Sequence, residues 1–419
     1  MKKSKKLKQD KRIVLYLLYI LILMPDFLKS MWSVFGIISM GIRGIAGIVT
    51  ILMLLKRKKR SKTLKNLSIY IGYLLIITLL RAFSTDNIIR FIAIYADIFI
   101  MSVFTDYLLE NDTAKYIKIM NTVLWIGLLV NAASVFLLPN GIIQGTNEAG
   151  VYFPYYFYDY DNHFIIRYAS SFAIIFMHEK YYKGRDKGGA LIVIAMLIGL
   201  STLIKLHSIA SMVAMMFMLG AYVLMDFIPE KVIQIRTIWL SFLVTSLIIV
   251  LGFSFSFTFT TSMIASLGKT MSLFKRSTIW MIATRKIPEN IVMGTGLINS
   301  TDMKSLFGFA QLHNSLLTTV LWGGVVGLVL YSRFIFSIQS TWKRSKDHTD
   351  SRFMIILFAT MMIASLVDGI ELLSNVYMLY FIIARSENVR EALSSEQVKV
   401  VHRRRLRITA RRLSPQLSI

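Results

Sequence analysis

An all-α polytopic membrane protein of about twelve transmembrane helices, with one large outer loop between spans 9 and 10, is the fold class this sequence predicts. Three observations predict it. Of 419 residues, 55% are hydrophobic and only 17% are charged, unlike a soluble domain of this size. Apolar stretches long enough to cross a bilayer recur along the whole chain. The basic residues are distributed unevenly among the segments between those stretches.

Twelve stretches qualify: 13–29, 34–55, 64–83, 88–109, 117–138, 162–179, 189–204, 208–228, 237–257, 314–338, 353–369 and 372–385. The first, seventh and last are short. An even number of spans puts both termini on one side. Segments 1–12, 56–65, 110–118, 179–188, 229–236, 341–352 and the tail from Arg385 hold 35 of the 48 Lys and Arg residues, which makes that side cytoplasmic. The run from Lys56 to Lys62, KRKKRSK, is its strongest anchor.

The formal net charge of +25 then reflects orientation in a lipid bilayer, and nucleic acid is not expected as a partner. The absence of cysteine excludes disulfides, thiol catalysis and thiolate metal sites. The basic segment 2–12 is followed by no small-residue cleavage site, so a cleaved signal peptide is not expected. Residues 1–385 read as one integral membrane domain. Residues 386–419 read as a basic cytoplasmic tail, disordered and drawn to anionic lipid.

Two outer segments are long, 139–163 and 258–312, and long loops between tightly joined spans are where function concentrates. The second carries Lys269, Lys275, Arg276, Arg285, Lys286 and Lys304 against only Glu289 and Asp302. This cationic excess, on the face where cations are normally depleted, points to an anionic ligand. Leu273 to Ile287 reads as a helix, with Ser272 as N-cap and Pro288 as stop. Arg276, Trp280, Ala283 and Ile287 share one face of it. Arg285 falls on the opposite face and suits the lipid head groups, and snorkelling is the alternative for Arg276 too. Gly294-Thr295-Gly296 lacks the strand and the Lys of a phosphate loop and reads as a plain turn.

His313 and Asn314 lie where the chain re-enters the membrane. Gly323 and Gly327 form a GxxxG pair that permits close packing on a neighbouring helix, which would hold His313 rigidly. A neutral imidazole there suits proton transfer near neutral pH. The alternative is an interfacial histidine bonded to a carbonyl. Seven aromatics fall between Tyr152 and Tyr160. Tyr158 is a candidate for stacking on sugar rings and Asp161 for bonding hydroxyls, with an interfacial aromatic belt as the alternative. Arg167 enters the next span and needs a partner, either Asp159 or Asp161 or a diphosphate. Lys205 and His207 sit at the short outer turn between spans 7 and 8. No His, Asp or Glu cluster has metal-ligand spacing, so no metal or cofactor is expected. Asp97, Asp106 and Arg81 are charged within spans, but no matched pair on adjacent spans is evident.

The order Arg276-Ser-Thr-Ile279-Trp280, Gly294-Thr-Gly296, His313-Asn314-Ser315-Leu316-Leu317, Gly324-Val-Val-Gly327-Leu328 resembles the O-antigen ligase and polymerase family of bacterial membrane proteins. The likeness covers about 60 residues closely and the rest as topology. It implies glycosyl transfer at the outer leaflet of the plasma membrane without nucleotide sugar or metal. The donor would be a polyprenyl-diphosphate-linked oligosaccharide, passed to another lipid-linked repeat by a polymerase or to a separate acceptor by a ligase. A lipid-linked oligosaccharide flippase is the reading from another class.

Position by position, the resemblance assigns His313 and Arg276 to catalysis. Around them Arg167, Lys205, Asn314, Trp280, Tyr158 and Asp161 would bind substrate. A flippase and a chain-length regulator would be partners. Where many family members carry a Ser-Arg pair this chain has Lys205-Leu206-His207-Ser208, and lysine lacks the bidentate fork of arginine.

Overall fold

The computed structural model describes residues 13–23, 33–57, 59–81, 84–146, 152–158, 163–184, 189–227, 234–255, 270–339 and 348–395. Helices α1 (Ile13–Ile22), α2 (Ser33–Lys56), α3 (Lys62–Arg81), α4 (Thr85–Asn111) and α5 (Thr113–Leu137) open the chain. Then come α6 (Phe164–Met177), α7 (Gly189–Leu206), α8 (Ile209–Val223) and α9 (Ile235–Phe255). The rest comprises α10 (Thr270–Lys286), α11 (Ser300–Phe307), α12 (Ser315–Ile338), α13 (His348–Ser365), α14 (Ser374–Ala384) and a last helix, α15, over 386–395.

A helix falls on every one of the twelve predicted stretches. Seven of them, α2, α3, α4, α5, α7, α9 and α12, are apolar and long enough to cross a membrane. The chain is therefore a membrane-embedded protein that, among the described residues, is helical apart from one small hairpin. Helix α6 has only 14 residues, and all except Arg167 are buried. A helix apolar on every face belongs at the centre of a bundle, and α6 packs against α5, α7, α13 and α14.

Three features differ from expectation. Segment 139–163 contains a hairpin, β1 (Ile143–Thr146) antiparallel to β2 (Tyr152–Tyr155), with Ile143 opposite Tyr155. The aromatics after it turn inward: Tyr156 and Tyr158 are buried, and Tyr158 lies over Gly127 of α5. The predicted tail begins with α15, whose Val389 and Leu393 are fully buried. Residues 396–419 lie outside the described residues.

The third difference is electrostatic, because matched charge pairs do join adjacent spans. Arg43 on α2 meets Asp97 on α4 at 2.6 Å. Fully buried Asp106 forms an ion pair with Arg57 at 2.8 Å and accepts from Arg385 at 2.7 Å, and Glu110 is paired with the same two guanidinium groups. The pairing was invisible in sequence because its members are 49 to 279 positions apart. Stranding a buried charge by removing its partner costs about 3–5 kcal/mol, so this cluster fastens the end of the bundle next to the KRKKRSK run.

Helix α12 is broken inside the bundle. Gly324 has φ 62° and ψ −164°, which frees backbone groups where no water can satisfy them. Segment 291–296 supplies the partners. Thr295 N–H donates to the Leu321 carbonyl (2.8 Å) and Gly296 N–H to that of Trp322 (2.9 Å). Val325 and Val326 N–H donate in return to Ile291 (2.8 Å) and Val292 (3.1 Å). Gly294, at φ 77°, lies directly on the break, and a side chain there would overlap the Trp322 backbone. The Gly-Thr-Gly run is thus neither a phosphate cradle nor a plain turn, but a backbone patch. Gly323 and Gly327 pack on Tyr73 and Leu74 of α3, as the GxxxG spacing predicts.

Gly294→Ala should lower the thermal midpoint sharply, since left-handed strain alone costs about 1–3 kcal/mol before any overlap. Gly220→Ala, in open space on α8, should be neutral or stabilising. Thermal unfolding of the purified variants in detergent checks both.

Candidate functional site

At the end of the bundle opposite the Asp106 cluster, residues 287–313 pack over the helices. Their 3-10 turn and α11 are clipped to α3 and α4 by polar side chains. Arg81 donates to Asn290 Oδ1 (2.5 Å) and to the Gly294 carbonyl (2.8 Å). Leu297 N–H donates to Thr78, and Asn299 N–H to Asn87. Asn299 caps α11 by accepting from Asp302 N–H, while Asp302 accepts from Ser84 and Asn87 at 2.9 Å. Arg90, near the start of α4, donates to Ser300 at 3.0 Å.

Between these elements and the start of α12 lies a cavity of about 230 Å³. Its chemistry-bearing lining is Arg90, His163, Gln311, His313, Trp322 and Asp368. His313 Nδ1 lies 3.6 Å from Asp368 Oδ1, an ion-pair distance that is too long for a hydrogen bond. The His313 side chain keeps 31% exposure and that of Asp368 12%. The Trp322 indole N–H is buried and has no partner among the described residues, so a ligand oxygen can take it. His313 has φ 49°, a left-handed backbone that costs energy for a non-glycine residue and recurs where function fixes geometry. His207 shares it, at φ 55°, without lining the cavity.

Burial alone would raise the Asp368 carboxyl. The neighbouring His313, with the charges of His163 and Arg276, outweighs burial and holds the group below the ordinary carboxylate range. Asp368 stands in the loop between α13 and α14, which α12 and α10 hold in place. Ser315 donates to the Asp368 carbonyl (3.2 Å) and accepts from Ile370 N–H (3.2 Å). Asn314 donates to the Leu366 carbonyl (2.9 Å), and Arg276 to that of Val367 (2.7 Å).

The sequence-derived candidates divide accordingly. His313 lines the cavity. Arg276 does not line it, and neither does it snorkel; its guanidinium holds the backbone that carries Asp368. Trp280 is buried and donates to the Leu312 carbonyl at 2.8 Å, anchoring the residue before His313. Ala283 and Ile287 on the same face are buried, while Arg285 and Lys286 are exposed. Asn314 is fully buried and caps α12 by accepting from Leu317 N–H. Tyr158 packs in the core, with Arg167 over its ring at 5.7 Å, and Arg167 also donates to the Leu23 carbonyl. Lys205 is exposed in the last turn of α7. Neither Arg167 nor Lys205 lines the cavity. Asp161 and Asp159 lie outside the described residues.

Sequence reasoning missed Asp368, Arg90 and His163. An Asp-Gly pair, Asp368-Gly369, is a turn signal and could have ended span 11 before Asp368. Arg90 and His163 carried no local signal. No protein-family profile matches this chain, and no curated protein sequence matches it.

Two outcomes follow from this geometry. A carboxyl held low contributes stability that is full above its unfolded pKa of about 3.9 and is lost as pH falls through the folded value. Asp368→Asn should therefore flatten the loss of thermal stability as pH falls from about 3.9 towards the folded value. Arg276→Ala should speed amide hydrogen exchange across 366–373, whereas Arg285→Ala should leave it unchanged. Equal exchange in the two variants would mean that Arg276 does not hold this loop.

Proposed function

We propose that this chain polymerises polyprenyl-diphosphate-linked oligosaccharide repeats at the outer leaflet of a bacterial plasma membrane. About twelve spans would place both termini in the cytoplasm. The observation that carries this reading is the His313–Asp368 pair on a cavity that Arg90 and His163 also line. It stands at the end of the bundle opposite the KRKKRSK run, which the charge asymmetry assigns to the outside.

In this reading, the negative charge of Asp368, 3.6 Å away, favours the tautomer with its proton on His313 Nδ1, which leaves Nε2 free as a base. The imidazole takes the proton of an acceptor sugar hydroxyl. That oxygen bonds to the anomeric carbon of the donor glycan. The bond from that carbon to the diphosphate oxygen breaks, and the polyprenyl diphosphate leaves with the electron pair. Arg90 and His163 meet the diphosphate charge, the part the family resemblance implies for Arg276 with Arg167 or Lys205. Cations fixed at developing charge are a large source of rate enhancement. Arg276 acts by positioning the loop of Asp368. A flippase that delivers repeats and a chain-length regulator would be its partners. A ligase would use the same groups.

A second reading has one observation in its favour. Arg43 and Asp97 form the matched mid-span pair that a lipid-linked oligosaccharide transporter would use. Neither residue lines the cavity.

His313→Ala should abolish polymer in cells at normal protein level, a loss of at least ~10²-fold if the imidazole is the general base. His313→Gly should be equally inactive but no less stable than His313→Ala, since glycine relieves the left-handed strain. Lipid-linked single repeats should accumulate; accumulation of long lipid-linked chains would identify a ligase. Normal glycan lengths in either variant would remove His313 from the chemistry.

A further inference from the structure

We propose that the flank between α3, α9 and α12, at the end next to the KRKKRSK run, binds one anionic phospholipid from the adjoining leaflet. A groove of about 680 Å³ opens there, away from the cavity of His313. Lys62 and Arg333 stand on it, with Asn66 and Ser332 beside them. No acidic residue lines it, and neither cation has a carboxylate partner among the described residues. A third cation, Arg236, lies 5.7 Å from the ring of Phe336, which also lines the groove.

The opposite part of the groove is hydrocarbon: Leu240, Leu243, Leu328 and Val329. Leu243 and Leu328 also border a second groove of about 520 Å³, almost wholly apolar, that continues along α9 and α12 towards Pro288. Cations at one end and a long apolar trough at the other match an amphiphile with a phosphate head and acyl tails. Basic pockets between spans recognise anionic lipid heads in this way. A free phosphate compound would leave the trough empty, and a zwitterionic lipid would bring its own cation against Lys62 and Arg333. The contrast with Arg57 and Arg385, which are neutralised by Asp106 and Glu110 at the same end, shows that Lys62 and Arg333 were left open.

The test uses the full chain purified in neutral detergent. Thermal unfolding and native mass spectrometry are followed with phosphatidylglycerol and with phosphatidylcholine of identical chains. Phosphatidylglycerol should raise the unfolding midpoint and remain bound, and phosphatidylcholine should do neither. Lys62→Gln with Arg333→Gln should weaken phosphatidylglycerol about fivefold per cation removed, while Arg333→Lys should retain most of the binding. Should the double variant be unstable without lipid, the Arg333→Gln single variant carries the same comparison. Equal response to both lipids, or unchanged affinity in the variants, would overturn the proposal. Displacement of phosphatidylglycerol by equimolar polyprenyl phosphate would also overturn it, by assigning the groove to the substrate lipid.

Discussion

A hydrocarbon interior offers no water to a broken backbone, and the break at Gly324 makes that rule the governing constraint of this molecule. Each freed carbonyl or amide in a bilayer must find a protein partner. Residues 291–296 provide them, pairing with Leu321, Trp322, Val325 and Val326. Residues 287–299 are thereby joined to α12 by main-chain bonds as well as to α3 and α4 by side chains. Arg81 and Tyr73 strengthen the join from α3, since Tyr73 donates to both the Gly323 and Met293 carbonyls.

The cavity is a consequence of that arrangement. Its floor includes Ile298, Ser300 and Met303, which follow the backbone patch directly. Its opposite wall includes Thr318 and Trp322, from the part of α12 before the break. The break lets this half-helix end against the loop between α13 and α14. There Asn314 and Ser315 exchange bonds with residues 366–370. His313 is the residue that must turn between the buried Leu312 and the cap at Asn314. Its positive φ is the backbone's solution to that turn, and it leaves the imidazole facing Asp368.

What was legible in the sequence follows from the range of the forces involved. Apolar runs report span positions locally, so every predicted stretch carries a helix. The face of Arg276, Trp280, Ala283 and Ile287 obeys helical spacing, and its apolar members are buried as that spacing requires. His313 stood out because a histidine at the mouth of a glycine-rich span is locally unusual. Roles that depend on distant partners did not show. Asn314 and Trp280 look like ligand-binding residues in sequence, yet their polar atoms are taken by Ser246, Leu366 and Leu312. Asp368 was absorbed into span 11 because a hydropathy window dilutes a single charge among many apolar neighbours. The function of Gly294 was hidden because its partner, the Trp322 backbone, is 28 positions away.

Two sets of arginines in the bundle are held in different ways. Near the KRKKRSK run, Arg57 and Arg385 are bound by carboxylates, so their charge is cancelled within the protein. At the cavity end the bonds differ in kind. Arg81 donates to an amide oxygen and a carbonyl, and Arg276 to a carbonyl. A neutral acceptor fixes the direction of a guanidinium without removing its charge. At this end Arg81 and Arg276 are held by neutral acceptors, and Asp368 lines the cavity beside His313. Arginines fixed in this way raise the local potential before any ligand arrives, with little reorganisation left to do when an anionic group enters. On the proposed reading, such an arrangement would receive the negative charge of the diphosphate.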